Sequence, residues 1–291
     1  MIVHLVDGTY ELFRFFFAVP PHRNSEGREV GAVRGVLGSM LQMLEEGSTH
    51  VGVATDHVIE SFRNELYAGY KTGEGIDPAL HQQFELLEEV LEAAGFRVWP
   101  MVEYEADDGM GAAAVMASAD ERVDQVVICT PDKDLAQCVS GKRIVQFDRR
   151  QKITRDREGV IAKFGVPPES IPDYLGLVGD TADGFPGLAG WGAKSTATVL
   201  ARYGHIEAIP DVVDNWDVKV RGAKKLADTL ARDREDAMLF RKIATIVYEI
   251  EGTGNVDDIE WRGPREDFEA ACRSIDAPTA IQRVKRLAGR L

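Results

Sequence analysis

Four short runs of branched apolar residues recur through the first half of the chain, and each leads into acid. Ile2-Val3-His4-Leu5-Val6 stops at Asp7-Gly8, and Val51-Gly52-Val53-Ala54-Thr55 stops at Asp56. Arg97 to Met101 leads to Glu105, Asp107 and Asp108, and Gln125-Val126-Val127-Ile128-Cys129 runs into Thr130-Pro131-Asp132-Lys133-Asp134. Short continuous apolar runs of this kind read as strands buried on both faces. Stretches of helical spacing separate them: Val30 to Leu44, His81 to Ala94, and a helix beginning near Glu105. Strands alternating with helices predict a mostly parallel sheet, whose ligands sit at the carboxyl ends of the strands. An acid after one strand is ordinary turn chemistry. Acids after all four strands of one sheet converge on one edge.

Tyr104-Glu105-Ala106-Asp107-Asp108 is the densest of these clusters. Glu105 and Asp108 share a helical face at i, i+3, with Asp107 beside them. Acids also suit the first turn of any helix, where they meet the positive end of the dipole. Three carboxylates held this close repel unless a cation lies between them, and hard divalent cations take such oxygen ligands. Asp180 and Asp183, at i, i+3 in Gly179-Asp180-Thr181-Ala182-Asp183-Gly184, bring the candidate ligands to Asp7, Asp56, Glu105, Asp107, Asp108, Asp132, Asp134, Asp180 and Asp183. With no histidine or cysteine ligands nearby, the set suits Mg²⁺ or Mn²⁺ rather than Zn²⁺. It exceeds what one ion needs, and two ions about 4 Å apart clamp the oxygens of an in-line phosphoryl displacement. The substrate expected from this pattern is a phosphate ester, with water as nucleophile.

After residue 155 the chain turns to short helices and glycine-rich turns. Gly187-Leu188-Ala189-Gly190-Trp191-Gly192-Ala193-Lys194-Ser195 nearly spells a nucleotide-hydrolase phosphate loop, but Ala193 breaks the Gly-Lys spacing. It better suits a helix–hairpin–helix element opening a helix over Ala193 to Tyr203, with backbone N–H groups turned to a phosphate. Asp233 to Tyr248 and Arg265 to Ser274 carry further helical spacing, and a hairpin is expected to turn at Asp148-Arg149-Arg150. The net charge of −14 argues against a nucleic-acid partner unless the acids are metal ligands, in which case about five negative charges remain. Cations gather at Arg221, Lys224 and Lys225, and again at Arg283, Lys285, Arg286 and Arg290. Three scattered cysteines give neither a disulfide framework nor a zinc pattern, so a reducing cytoplasm is expected. The sequence holds no apolar run of about 18 residues, and its first residues do not read as a signal peptide.

Asp7-Gly8, Asp56, Tyr104-Glu105-Ala106-Asp107-Asp108, Thr130-Pro131-Asp132-Lys133-Asp134, Gly179-Asp180-x-x-Asp183 and Gly187-x-x-Gly190-x-Gly192-x-Lys194 occur in one order. That series resembles the bacterial and phage 5′ nucleases: flap endonucleases and the 5′→3′ exonuclease domain of DNA polymerase I. The similarity runs from residue 2 to about 275 and includes Trp261-Arg262-Gly263-Pro264. It implies a PIN-like catalytic α/β domain over residues 1–154 with a helical arch at about 57–80. A helical DNA-binding region over 155–291 would complete the metal site. It further implies two-metal hydrolysis of DNA at 5′ flaps, 5′ ends or single-strand/duplex junctions, by a free-standing monomeric enzyme of the cytoplasm and nucleoid. By position, the nine acids would serve the metals, some through water. Arg63 and Lys71, matched by Ser61-Phe62-Arg63 and Tyr70-Lys71, would contact the scissile phosphate. Gly190, Gly192, Lys194 and Ser195 would grip the duplex backbone, with K⁺ on the carbonyls of the Gly187–Gly192 turn, and Arg221, Lys224 and Lys225 would reach phosphates further along.

The chain departs from the pattern in three places. Glu74 stands where a basic residue is usual, and residues 57–85 hold Arg63 and Lys71 against Glu60, Glu65, Glu74, Asp77 and Glu85. Gly184 replaces the usual Asn, which predicts a looser loop around Asp180 and Asp183. Thr55 replaces a usual Phe, read as packing. The acidic arch keeps open a junction-binding protein that cuts poorly, and the phosphate chemistry keeps open a PIN-like RNA nuclease, since phosphate contacts do not report the sugar.

Overall fold

The computed structural model describes residues 1–289; Arg290, the last member of the C-terminal basic run, lies outside them. In chain order the strands are β1 (Ile2–Asp7), β2 (His50–Asp56), β3 (Arg97–Met101), β4 (Gln125–Cys129), β5 (Ile144–Asp148) and β6 (Ile153–Arg155). The helices begin with α1 (Gly8–Ala18), α2 (Gly31–Glu45), α3 (Phe62–Leu66), α4 (Pro78–His81), α5 (Phe84–Ala93) and α6 (Ala106–Ala119). They continue with α7 (Arg157–Phe164), α8 (Ile171–Val178), α9 (Ala193–Tyr203), α10 (Ala223–Arg232), α11 (Arg234–Ala244), α12 (Phe268–Ser274) and α13 (Pro278–Ala288). The chain packs into two compact units, each discontinuous in sequence. One comprises residues 1–59, 73–130 and 247–291, the other residues 60–72 and 131–246. Packing therefore does not divide the chain by a single cut at 154/155: the C-terminal segment folds with the first unit.

In the first unit, β3-β2-β1-β4 form a parallel sheet. The chain builds outward from β1 to β3 and then returns to the other side of β1, which puts the topological switch point between β1 and β4. Of the inner strands, β2 is buried from His50 to Thr55, and β1 buries Val3 and Leu5 to Asp7, as continuous Val/Leu/Ile runs require. Helix α6 crosses all four strands. Its small face (Gly109, Gly111, Ala112, Ala113, Ala114, Ala117) is buried and brings it close to the sheet. Helix α2 packs on α1 and α5, and α12 and α13 pack on α5 and α2. The Trp261 segment ties down this unit: the indole Nε1–H donates to Ala94 O at 2.9 Å and the Trp261 N–H to Thr49 O at 2.8 Å.

In the second unit, β5 and β6 pair antiparallel, and Asp148 Oδ1 accepts the Arg150 and Gln151 N–H groups to make the expected turn. Helices α8 and α11 pack side by side over a core that includes Leu175, Leu177, Phe185, Trp191, Leu230, Phe240 and Ile243.

Two expectations are corrected. Helix α11 stops at Ala244 rather than running to Tyr248, because side chains take its last carbonyls: Arg63 Nε donates to Ile243 O at 2.7 Å and Gln137 Nε2 to Ala244 O at 2.9 Å. The helix expected over 81–94 breaks at Gln82-Gln83, where the buried Gln83 amide donates to Ala79 O and accepts Val33 N–H. Residues 57–80, where the arch is expected, hold α3 and the start of α4, with Gly69, Gly73 and Gly75 in the irregular stretch between them.

Candidate functional site

The first unit gathers five of the nine nominated acids at the carboxyl ends of its strands. Asp7 ends β1 and caps α1, its Oδ1 accepting Tyr10 N–H at 2.8 Å. Its Oδ2 accepts Thr130 Oγ1–H at 3.0 Å, so a hydroxyl from the end of β4 fixes the carboxylate at the switch point. Asp56 ends β2, and its Oδ1 accepts Ala106 N–H at 2.8 Å from the first turn of α6. Glu105 is buried at the N-cap of that helix, and Asp107 is half-buried in its first turn. Asp108 differs from these. It is 0% exposed, and its two oxygens accept backbone N–H groups from Glu105 at 3.0 Å and Val247 at 2.9 Å. Both oxygens are thus turned to backbone, one of them holding the N–H of Glu105.

Sequence reading missed the support beneath Asp56. Thr55 is not packing: its Oγ1–H donates to the buried Glu88 at 2.7 Å, and the other Glu88 oxygen meets His57 Nδ1 at 2.7 Å. One buried carboxylate thus holds both neighbours of Asp56. The absence of the usual Phe was the signal, since a hydroxyl in a buried strand needs a partner.

The second unit holds Asp132, Asp134, Asp180 and Asp183. Carboxylate oxygens of Asp134, Asp180 and Asp183 lie within 4.8 Å of one another. Asp134 is buried and its Oδ1 has no hydrogen-bond partner. Burial, then repulsion from Asp132, Asp183 and Asp180, hold its carboxyl well above the ordinary range. Asp132 Oδ1 accepts the Asp134 N–H at 2.9 Å and so orients the loop. Two lysines reach the trio: Lys133 Nζ pairs with Asp180 at 2.6 Å and Lys71 Nζ with Asp183 at 3.3 Å. Burial alone would lower Lys133, but its bond to Asp180 and the surrounding acids hold it above its usual value. Close carboxylates, a buried orphan oxygen and ammonium groups drawn among them fit a divalent cation bound by oxygen ligands.

Gly184 does not loosen this loop. Its φ is +85°, and a Cβ there would lie 2.2 Å from Gly69 O, so glycine lets residues 69–71 lie directly against the acids. The Lys71 N–H donates to Asp183 O at 3.0 Å, which sets its ammonium on the rim. Arg63 is placed differently. It is 2% exposed, with Nε and Nη2 donating to Ile243 O and Thr245 O, so its guanidinium caps the end of α11.

The nominated phosphate contacts converge. Gly190, Lys194, Ser195, Arg221 and Lys225 line one open groove of about 870 Å³, joined by Lys219, which sequence reading passed over. The amino ends of α9 and α10 both lie on it, and no acid lines it. Gly192 caps α9, with Ser195 Oγ bonded back to it. Lys224 is exposed but does not line the groove.

Residues 2–165 match the family profile of the 5′-3′ exonuclease N-terminal resolvase-like domain, and residues 166–267 that of the 5′-3′ exonuclease C-terminal SAM fold. A 5′-3′ exonuclease of Aquifex aeolicus is 31% identical over 264 residues, covering 90% of this chain and 87% of the relative. DNA polymerase I of Pseudomonas aeruginosa is 37% identical over 277 residues, covering 94% of this chain and 30% of the relative. The chain spans about a third of the length of the DNA polymerase I relatives it matches. Among solved structures, T5 5′-exonuclease with divalent metal ions (zinc) bound has a TM-score of 0.65 at 19% identity, covering 100% of this chain and 98% of that one. The catalytic core of Rad2 in complex with DNA substrate also reaches 0.65, at 18% identity, covering 98% of this chain and 91% of that one. Joined to acids at four strand ends and a carboxylate trio beside a basic groove's glycine-rich turn, these matches establish that the chain belongs to the 5′-3′ exonuclease family.

Proposed function

We propose that this chain is a structure-specific 5′ nuclease that hydrolyses DNA phosphodiesters at 5′ flaps, 5′ ends or single-strand/duplex junctions with Mg²⁺ or Mn²⁺. The observation that carries this reading is the Asp134–Asp180–Asp183 trio with its unpartnered buried oxygen, in a chain whose relatives include a 5′-3′ exonuclease. The first unit's Asp7, Asp56, Glu105 and Asp107 and the second unit's Asp132, Asp134, Asp180 and Asp183 would each hold divalent cations, with Asp108 acting through Glu105. Such cations, when bound, polarise phosphate oxygens and lower the pKa of water.

The chain's own residues do the rest. Lys71, on the rim of the trio, offers its ammonium to the phosphate as charge develops there. Arg63 closes the end of α11 against α3, the helix whose Asn64 amide donates to Lys71 O. Thr130 keeps Asp7 in one orientation, and Glu88 does the same for the residues flanking Asp56. The groove of Lys194, Lys219, Arg221 and Lys225 holds duplex phosphates through ammonium and guanidinium groups and helix amino ends. A K⁺ on the Gly187–Gly192 turn would share the carbonyls of Leu188 and Gly192 with the hydrogen bonds they already accept.

The test is cleavage of a 5′-labelled flap duplex with Mg²⁺, Mn²⁺ or chelator, with single-stranded RNA and a blunt duplex alongside. Metal-dependent cutting at the junction is expected. Cutting of RNA alone would retain the metal chemistry and replace the substrate. Tight flap binding without cutting in either metal would favour the junction-binding reading, to which the exposed Glu74 points.

A further inference from the structure

Arg155 is 9% exposed, yet its guanidinium makes no ion pair or hydrogen bond among the described residues, and its Nη1 is buried without a partner. A buried arginine is ordinarily paired or hydrogen-bonded. The cross-strand neighbour does not supply the bond. Gln146 is directly opposite Arg155 on β5, but it donates to Asp132 O, and its Oε1 has no partner either.

The side chain is directed by α7. Arg155, Gly159 and Lys163 are spaced four apart, and Gly159 and Lys163 share a face of that helix. The Arg155 stem runs over Gly159, where a Cβ would stand 3.2 Å from Arg155 Cβ and 3.5 Å from its Cγ. Gly159 thus leaves the path along which the arginine lies. Burial, and then Arg155 itself, hold the Lys163 ammonium below its usual value; Asp132 and Asp148 counter this and Lys133 adds to it. Asp148 Oδ1 makes the hairpin turn, and among the described residues Asp148 forms no ion pair with Arg155 or Lys163. Two cations set together with one buried and unsatisfied describe a seat for an anion.

We propose that Arg155 and Lys163 form a phosphate seat on the second unit, one hairpin pairing away from the Asp132–Asp134 loop. Two planar donors of a guanidinium and one ammonium suit a tetrahedral phosphate oxygen set. In the 5′-nuclease reading, on which this deepening rests, the occupant is a strand phosphate beyond the one cut; free inorganic phosphate offers the same chemistry.

The test uses the full chain with Arg155→Leu and Lys163→Gln, and Arg150→Gln as a control for loss of an exposed cation of the same hairpin. Flap-duplex affinity is measured in Ca²⁺ across a salt series, and melting temperature is measured across inorganic phosphate concentrations. For a strand phosphate, Arg155→Leu weakens binding about tenfold, and each variant lowers the slope of log K against log salt by about 0.9, the release expected for one phosphate contact. For free phosphate, DNA affinity holds, but millimolar phosphate raises the melting temperature of wild type and not of either variant. The seat is overturned if Arg155→Leu and Lys163→Gln match wild type and Arg150→Gln in both series, which would leave Arg155 as a hairpin residue bridged by water. Should Arg155→Leu fail to fold, the exposed Lys163→Gln carries both series. If wild type binds no DNA at all, the nuclease reading fails, and the phosphate melting series still decides the seat.

Discussion

Asp134 couples protonation to stability in one side chain. Burial and three neighbouring acids raise its carboxyl above the ordinary value of 3.8, so the folded metal-free protein binds a proton that the unfolded chain has lost. Stability from this group is therefore full below about pH 4 and falls as pH rises toward the raised value, because the native state binds more protons there. Asp134→Asn should raise the melting temperature of the chelated protein at pH 7 and flatten this dependence. It should also abolish the upward shift that Mn²⁺ gives wild type. A variant that still gained stability from Mn²⁺ would remove Asp134 from the ligand set. Arg63 and Lys71 separate in the same assays. Arg63→Ala leaves the Ile243 and Thr245 carbonyls unpaired and should cost about 2–4 kcal/mol in urea unfolding. Lys71→Ala, removing a half-exposed rim cation, should leave unfolding nearly unchanged while lowering the cleavage rate about 10²–10³-fold. Equal loss of stability in both variants would contradict this division.

Among the elements, the acid-bearing loop of residues 180–185 and the groove at α9 and α10 each make a separable claim. Gly184→Ala adds a Cβ 2.2 Å from Gly69 O at a φ of +85°, so residues 69–71 must move off the loop. The expected result is a stability loss of about 2 kcal/mol or more and faster amide exchange at Lys71, whose N–H is bonded to Asp183 O. Unchanged exchange would show that the loop and residues 69–71 are not held together as described. In the groove, Lys219→Gln with Lys225→Gln should reduce the salt slope of duplex binding by about 2 while leaving single-base preferences unaltered, since phosphate contacts carry no sequence information. A duplex affinity and slope equal to wild type would place the backbone contacts elsewhere.

At the scale of the whole molecule, the chain closes on itself in sequence order only in part. Residues 247–291 return to the first unit, and Phe268, Cys272, Ile275, Val284 and Leu287 bury their side chains there. Ending the chain at Asp267 should cost upwards of about 5 kcal/mol, at roughly 1.5–3 kcal/mol for each large apolar side chain uncovered. Limited proteolysis should then cut α2 and α5 before α8 and α11; the reverse order would mean that the C-terminal helices do not support the first unit. Across the binding surface, opposite charges are segregated: cations line the groove while the molecule as a whole carries −14. That separation is how an acidic chain can carry a cationic groove.

The parallel strands, the acids at their carboxyl ends and the turn at Gly187–Gly192 were legible because each is written locally. A buried strand needs a continuous apolar run, and the residue after it is read directly. Helix α1 was not legible, since Phe15-Phe16-Phe17 breaks the polar alternation that marks an amphipathic helix, and α13 was seen as a cluster of cations rather than as a helix. What only the tertiary structure decided is which polar group is spent on which partner. Arg63 and Lys71 are both lone cations in a polar stretch, yet one is consumed by the carbonyls of α11 and the other is left at the rim of the acids. Asp107 and Asp108 are adjacent acids, yet both oxygens of Asp108 are taken by backbone N–H groups, one of them more than a hundred residues away. Burial and hydrogen-bond geometry depend on groups distant in sequence, so composition and spacing nominate such side chains and packing alone assigns them.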